Sequence, residues 1–520
     1  MPLAVASAAG LRAYTARNFG GGLDIKTSPL QLAGMGGREP NRLTRATHGQ
    51  YTVEGAFRKR DDLALANAMS LGASVAITGG IQYRRSDGTS EVVIGTDDGR
   101  LVRLDPVAGT TVDLATGYST GTRWGFALFA DDLIAVNGVN VPKKYNGTSV
   151  TTLGGSPPAT AYAVVSHSAR VFMLDNTARQ RFSWSKLGDH ENWTAADNAG
   201  ALFIQTVERL TGLVSASQSE LILAAPGALF RLQGSSPSTY ALTNVVPASS
   251  ASGGVSFQAI LFAMNDIFLL AQAGIHSYRG ALEFGDLKES FTSERIGSFF
   301  EPNTPYTLAL QNLQYGVGCY DRQNGRLLFA CDSDGDAHND VVFLYDLSSR
   351  AWSVWPGMAV ASLWTVVNPT TGVEEVCAGG YDGYVRIFDR RTSTNPIEAE
   401  ARHVSDLGMP GVIKAPRHLY LYLAETGNFE VDVDIRKDFG SEVVFSGSAS
   451  TLGSGHTLGV NWVLGVDPLG VSGSLAKRIN LGGFVCEHME VAVRNSQPGQ
   501  PFTYFGYHCL SRPRRVIGRG

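Results

Sequence analysis

The sequence predicts an all-β protein: a six- or seven-bladed β-propeller followed by a β-sandwich or barrel domain, with an extended N-terminal arm. Two distant stretches carry that reading. Residues 91–105 run EVVIGTDDGRLVRLD, and residues 375–389 run EVCAGGYDGYVRIFD. Each is an apolar strand, a Gly, an Asp-Gly turn and an alternating strand that closes on Asp. Asp-Gly between alternating apolar residues signals a tight hairpin whose two central residues take φ > 0. The gap from Glu91 to Glu375 accommodates seven units of about 40 residues, the repeat length of propeller blades. Composition agrees. The chain of 520 residues holds 60 Gly and is 43% hydrophobic, enough for a large core divided by many turns. Charged residues are 17%, below the roughly 25% of an average domain.

Residues 1–70 lack clear alternation and are read as an extended arm with one or two docking strands. They contain Gly20-Gly21-Gly22, Ser28-Pro29 and the basic cluster Arg58-Lys59-Arg60, and Asp61–Met69 has the composition of a short helix. The propeller is expected over 71–396. Its units are read as Ser74–Asp105, Trp124–Leu153, Ala161–Trp184, Leu213–Gln233, Ala259–Tyr278, Gly316–Trp355 and Leu363–Phe388. One small sheet cannot bury both faces alone, so such units stack in a ring. If one unit is split across the ring closure, the count falls to six. Several units end on an aromatic followed by a turn residue: Tyr145-Asn146-Gly147, Tyr345-Asp346 and Phe388-Asp389. After Asn395-Pro396 longer strands begin, at Glu398–Val404, His418–Ala424 and Phe429–Arg436. A Gly/Ser-rich stretch follows, then Lys477–Leu481, Val485–Val493 and Phe502–Cys509. This defines a β domain over 397–510 and a basic tail over 511–520 with Arg512, Arg514, Arg515 and Arg519.

The formal net charge of −4 gives no global attraction to nucleic acid or to anionic membrane. No apolar run reaches the ~18 to 20 residues of a helical membrane span. The opening MPLAVASAAGLRAY lacks a basic leader and has too short an apolar stretch for a secretory signal. The five cysteines, Cys319, Cys331, Cys377, Cys486 and Cys509, show no metal-binding spacing. Buried free thiols are expected, which favours synthesis in a reducing compartment.

Catalytic motifs are sparse. There is no nucleophile elbow and no phosphate-binding loop. His190-Glu191 begins like a zinc-protease helix, but residue 194 is Thr and the segment GDHENWT reads as a turn. Asp332, Asp334, Asp336 and Asp340 in CDSDGDAHND place hard oxygen ligands on one loop, as Ca²⁺ requires. The Gly stands fourth rather than sixth, however, and no terminal Glu follows, so a solvated turn is the expected state. Trp352, Trp355 and Trp364 read as packing between blades rather than as a sugar platform. The C-terminal arginines suit a neighbouring subunit or phosphate. Asn146 and Asn192 head sequons that matter only in a secreted eukaryotic chain. No catalytic, metal or cofactor residue is assigned, and no cofactor is expected.

Three motif groups resemble a known family. The first is Asn18-Phe19-Gly20-Gly21-Gly22-Leu23-Asp24, Ser28-Pro29-Leu30, Asn41 and Arg58-Lys59-Arg60. The second is Tyr345-Asp346 with Ala351-Trp352. The third is Gly408-Met409-Pro410-Gly411, Lys414 and the strand Leu419-Tyr420-Leu421-Tyr422-Leu423. Together they resemble the propeller-bearing tail nozzle (tail hub) proteins of short-tailed bacteriophages, although Asp61 stands where that family has a Gly turn. The resemblance implies a non-enzymatic virion protein, assembled in the bacterial cytoplasm into a hexameric ring. Such a ring sits beneath the head-to-tail adaptor, conducts double-stranded DNA during ejection and helps anchor tail fibres. The alternative from the residues alone is a glycan-binding or glycan-cleaving propeller at a bacterial surface.

Overall fold

Six small antiparallel sheets, and a further blade whose strands open a nine-stranded sheet, follow one another along the chain in the computed structural model. It describes residues 10–35, 39–205, 207, 209–246, 253–279, 292–390, 395–452 and 474–516. Blade 1 pairs Ile77–Arg84, Ser90–Thr96, Leu101–Asp105 and Thr110–Ala115 in that order. Blade 2 pairs Gly125–Phe129, Asp132–Val136, Lys143–Tyr145 and Val150–Thr152. Blade 3 runs from Ala161–His167 through Arg170–Asp175 and Arg181–Trp184 to Gly200–Phe203. Blade 4 runs from Gly212–Ser217 through Glu220–Ala225 and Ala228–Gln233 to Ala241–Val246. Blade 5 has Ile260–Ala263, Asp266–Ala271 and Gly274–Ser277, and blade 6 begins Val317–Asp321, Arg326–Cys331. Blade 7 holds Ser362–Val367, Glu374–Gly379 and Val385–Ile387. The first strand of each blade neighbours the first strand of the next, and the first strand of blade 7 neighbours that of blade 1. The ring therefore closes with seven blades, and the units around Glu91 and Glu375 meet.

Burial follows from this stacking. The second strand of a blade is covered on both faces, so Arg170–Asp175 and Arg326–Cys331 are buried at every residue. The fourth strand lies at the rim, and Thr110–Ala115 has no buried residue. The Asp-Gly hairpins take a different turn from the one expected. Gly99 and Gly383 have φ of +85° and +74°, whereas Asp98 and Asp382 keep ordinary negative φ. In the first, Gly99 N–H bonds Thr96 O at 3.2 Å while Thr96 N–H bonds Arg100 O at 3.0 Å. That is a type I turn with a Gly bulge, which needs only one left-handed residue.

Closure between blades 7 and 1 combines backbone pairing with an apolar seam. The helix expected at Asp61–Met69 does not form. Ala64–Leu65 instead pairs as the fourth strand of blade 7, with Leu65 opposite Arg386 and Ala64 opposite Ile387. The open edge of Val385–Ile387 supplies backbone partners that outweigh a weak local helix preference. Asn67, only 1% exposed, locks the junction. Its Nδ2 donates to Met69 O at 2.7 Å and Gly383 O at 2.9 Å, and its Oδ1 accepts from Val385 N at 2.8 Å. Ile77, Ile94 and Val102 of blade 1 pack in one cluster with Trp364, Val366 and Ile387 of blade 7.

The propeller axis is bridged at the end where the first strands begin. Gln258, ahead of blade 5, donates from Nε2 to Thr78 O of blade 1 at 2.8 Å and to Trp124 O at 3.0 Å. Arg123, ahead of blade 2, donates to Gln314 O, ahead of blade 6, at 3.2 Å.

The chain divides into two compact units: the propeller, residues 63–343 with 357–388, and a second unit of residues 1–62, 344–356 and 389–520. The second unit is a two-sheet sandwich. One sheet is ordered Gly49–Tyr51, Phe57–Lys59, Thr503–Val516, Val412–Ala424, Ser474–Asn480, and Arg12–Arg17 also pairs with Thr503–Val516. The other contains Ala351–Pro356, Arg45–Thr47, Ala399–Ser405, Met489–Asn495, Glu430–Lys437 and Val443–Ser450. Residues 10–62, expected as an extended arm with docking strands, pair with the C-terminal strands through Arg12–Arg17 and Phe57–Lys59, because each long strand has two edges to satisfy. The basic segment expected as a tail from 511 continues the strand to Val516. Along Leu419–Leu423 the three leucines are buried and the two tyrosines are partly exposed, the alternation of a half-buried strand. Between the sheets, Tyr507 Oη lies 3.0 Å from both His403 Nδ1 and Ser405 Oγ. Phe19 stacks on Tyr504 with ring centroids 5.0 Å apart.

Two outcomes follow from these contacts. Asn67→Ala removes three hydrogen bonds at the closure and is expected to lower stability by about 2–4 kcal/mol, read as a lower denaturation midpoint. Burial lowers the His403 pKa from 6.5 to about 4, so the folded state holds this ring neutral. The unfolded chain takes up the proton first as pH falls. Stability is therefore complete above pH 6.5 and is lost towards pH 4. His403→Gln should remove up to about 1.4 kcal/mol per pH unit of that slope in denaturation curves.

Candidate functional site

The acidic hairpin brings Asp332, Asp334 and Asp336 together, with one carboxylate oxygen of each within 4.8 Å of the others. The loop's own backbone uses much of that oxygen. Asp332 accepts from the N–H groups of Asp334, Gly335 and Ala337 at 3.0, 2.7 and 2.8 Å, and from Asn312 Nδ2 at 2.6 Å. Asp340 is not one of the three clustered acids and accepts from the Ser333 N–H at 2.8 Å and the Ser333 hydroxyl at 2.6 Å. The Asp336 N–H favours the charged form of Asp334, but desolvation and the neighbouring acids more than offset it and raise its pKa. The loop is a series of Asx turns in which carboxylates stand in for backbone acceptors.

The other candidates are absorbed by packing. His190 faces Asp132 at 2.9 Å, while Glu191 bonds Lys144 at 2.8 Å and Gly154 N at 3.1 Å, so the pair joins blades 2 and 3. Trp352, Trp355 and Trp364 are buried. Trp355 Nε1 donates to Gly49 O at 2.9 Å. All five cysteines are free and buried. Arg512 and Arg514 are exposed on the last strand, and Arg519 lies outside the described residues.

The motifs that carried the resemblance form a connected scaffold in the second unit. Asn18 Oδ1 caps Gly20 N at 3.1 Å, and its carbonyl accepts from Asn41 N at 2.7 Å. Gly22 has φ +68° and passes so close to the Ala351–Trp352 backbone that a Cβ would stand 2.6 Å from Trp352 N. Leu23 N then donates to Trp352 O at 2.8 Å. Asp24, 1% exposed, accepts from Thr27 N at 2.8 Å and Arg42 Nη1 at 2.8 Å. Ser28 caps the helix Pro29–Gly34, with Pro29 in its first turn, where no N–H is needed. Tyr345 and Trp352 lie with ring centroids 4.6 Å apart, and Asp346 Oδ1 closes the turn through Ser348 N and Ser349 N.

The basic cluster is equally internal. Lys59 Nζ donates to Asn495 Oδ1 at 2.6 Å and Gln497 O at 2.9 Å. Burial, then the Arg60 charge, lowers the Lys59 pKa to about 8. Arg60 lies over the Trp355 ring at 5.4 Å and donates to His48 Nδ1 at 3.1 Å. Lys414 is fully buried and spends its three N–H bonds on Asp406 O at 2.6 Å, Met409 O at 2.8 Å and Glu487 O at 2.6 Å. Burial holds its pKa below the usual lysine value. The Gly408–Gly411 turn supplies one of these carbonyls, that of Met409.

No family model matches the chain, and no curated protein matches it. Among solved structures, YCF48 bound to D1 peptide is similar over 64% of this chain and 100% of that one, at 10% identity and a TM-score of 0.41. YCF48 from Cyanidioschyzon merolae is similar over 63% of this chain and 98% of that one, at 12% identity and a TM-score of 0.39. The computationally designed Ika8 protein covers 63% of this chain and all of its own length, at 12% identity and a TM-score of 0.38. The propeller assignment rests on the seven blades and their closure.

The clearest test of the scaffold is Lys414. Replacing it with Met leaves three buried carbonyls unpaired, and each costs about 1–3 kcal/mol. Lys414→Met is expected to unfold the second unit at lower denaturant while the propeller transition stays in place, as followed by segment-resolved hydrogen exchange.

Proposed function

We propose that the chain is a structural subunit of a phage tail, the nozzle or hub ring that extends the head-to-tail channel of a short-tailed bacteriophage. The observation that carries this reading is the use made of the resembling motifs. Asn18, Gly22, Asp24, Asn41, Trp352 and Lys414 are joined to backbone or packed against it within one unit. They serve shape and not turnover, as a ring subunit requires. In this reading six copies form a closed ring through heterologous interfaces, one face of each subunit fitting a different face of the next. The head-to-tail adaptor and the tail fibre proteins are its partners. DNA passes along the axis of the assembled ring and not through a propeller, whose own axis is bridged by Gln258 and Arg123. A basic lining would retain the genome during ejection, because each neutralised phosphate releases counterions. Arg512 and Arg514 are accordingly assigned to a protein partner at the periphery.

Native mass spectrometry and negative-stain microscopy of the purified chain test the proposal. A closed ring, most simply of six copies, is the expected result. Arg512→Glu with Arg514→Glu should shift the population to smaller species without lowering the melting temperature. A strictly monomeric chain within assembled particles, or tight binding of duplex DNA lost with these two arginines, would overturn it.

A further inference from the structure

A cavity of about 420 Å³ opens beside the bridged end of the propeller axis. Its walls come from the segments ahead of the first strands of blades 2, 4, 5 and 6, and from the loops between the second and third strands of blades 2 and 3. Arg123, Arg179 and Arg209 line it, and among the described residues no Asp or Glu does. Among the described residues, no ion pair is formed by these three arginines, in a protein whose net charge is −4. Two polar groups at the wall lack partners. Ser256 is 2% exposed, and its Oγ is buried with no hydrogen bond. Arg123 spends Nη1 on Gln314 O, while its Nη2 is buried and unpaired. Burial lowers the Arg123 pKa to about 10, and no carboxylate is among the groups that counter the shift. A guanidinium removed from water without a counter-charge is costly, and so is a buried hydroxyl with no partner. Both costs fall if an anion sits between them.

The remaining walls suit a ligand with an apolar body. Phe257 presents its ring to Arg123, with the guanidinium 6.0 Å from the ring centroid, and Tyr162 stands 6.2 Å from Phe257. The Tyr162 hydroxyl is engaged with Leu210 O, so its ring, not its hydroxyl, faces the space. A volume of 420 Å³ lies in the usual range of small-molecule sites of about 300–1,000 Å³.

We propose that this cavity binds the oxyanion end, carboxylate or phosphate, of a small ligand whose apolar part rests against Phe257 and Tyr162. Arg123 and Ser256 hold the anion at the closed end. Arg179 and Arg209 attract it at the mouth, where a planar guanidinium offers paired N–H groups to two oxygens. The site is independent of ring assembly and stands or falls separately from the structural role.

Calorimetric titration of the full chain with phenyl phosphate, benzoate and inorganic phosphate, and with benzyl alcohol as the neutral control, tests the site. Phenyl phosphate or benzoate should bind one per chain with Kd below about 1 mM, and benzyl alcohol should not. The tighter of the two names the anion. A weaker inorganic phosphate would assign the difference to the aromatic wall. Arg179→Gln with Arg209→Gln should weaken binding about tenfold or more, and Ser256→Ala several-fold, with melting temperatures checked to show that each variant folds. Absence of saturable binding by all three anions, or binding that the folded arginine variants leave unchanged, would overturn the proposal.

Discussion

Everything in the propeller depends on the closure of blade 7 by two residues that precede blade 1. A ring of stacked sheets has no natural stop, and an unclosed one leaves two large apolar faces in water. Pairing Ala64–Leu65 with Val385–Ile387 converts that open stack into a loop tied by backbone hydrogen bonds. Asn67 reinforces the tie by serving as both donor and acceptor on the neighbouring strand and turn. The apolar seam of Ile77, Ile94, Trp364 and Val366 then forms because closure holds the two blades in register. The seam supplies most of the free energy and the short strand supplies the geometry.

The second unit applies the same device on a larger scale. Its C-terminal strand Thr503–Val516 takes Val412–Ala424 on one edge and the N-terminal Arg12–Arg17 on the other. Segments nearly 500 residues apart in sequence, 12–17 and 506–511, thereby become neighbours. Charged side chains are placed inside this framework under strict conditions. Lys59 and Lys414 are both buried, and each finds oxygen acceptors rather than a carboxylate partner. An ammonium so placed fixes the positions of the carbonyls around it, a specificity that apolar packing does not provide.

The legibility of these features follows their burial. First and second blade strands read clearly in the sequence because both faces, or one whole face, are apolar: Leu221 to Ala225 and Leu327 to Cys331 are continuous hydrophobic runs. The rim strands Thr110–Ala115, Gly200–Phe203 and Ala241–Val246 carry no such signal, since they bury little and tolerate polar residues. Ala64–Leu65 is too short to show any period, and its Ala-rich surroundings suggest a helix that tertiary pairing overrides. The acidic loop was legible as a cluster, but its use of Asp332 as a backbone acceptor depends on the turn geometry. The arginines of the axial cavity were not legible at all. They lie singly in three separate connections, and only the ring brings them to one place.

The closure and the strand exchange together set an order of events during synthesis. Residues 12–17 and 64–65 are made long before their partners at 506–511 and 386–387. At elongation rates of about 5–20 residues per second, the early segments wait on the order of tens of seconds with unpaired edges. Blades can stack meanwhile, since each contacts its predecessor, but none of the early blades is final until blade 7 arrives. The nascent chain is therefore exposed to mispairing with a second copy over most of its synthesis. A product that stops before residue 386 is left with an open stack, and one that stops before residue 503 with a sandwich missing its central strand. Only a chain that extends past residue 511 can hide both, so folding itself discriminates against early termination.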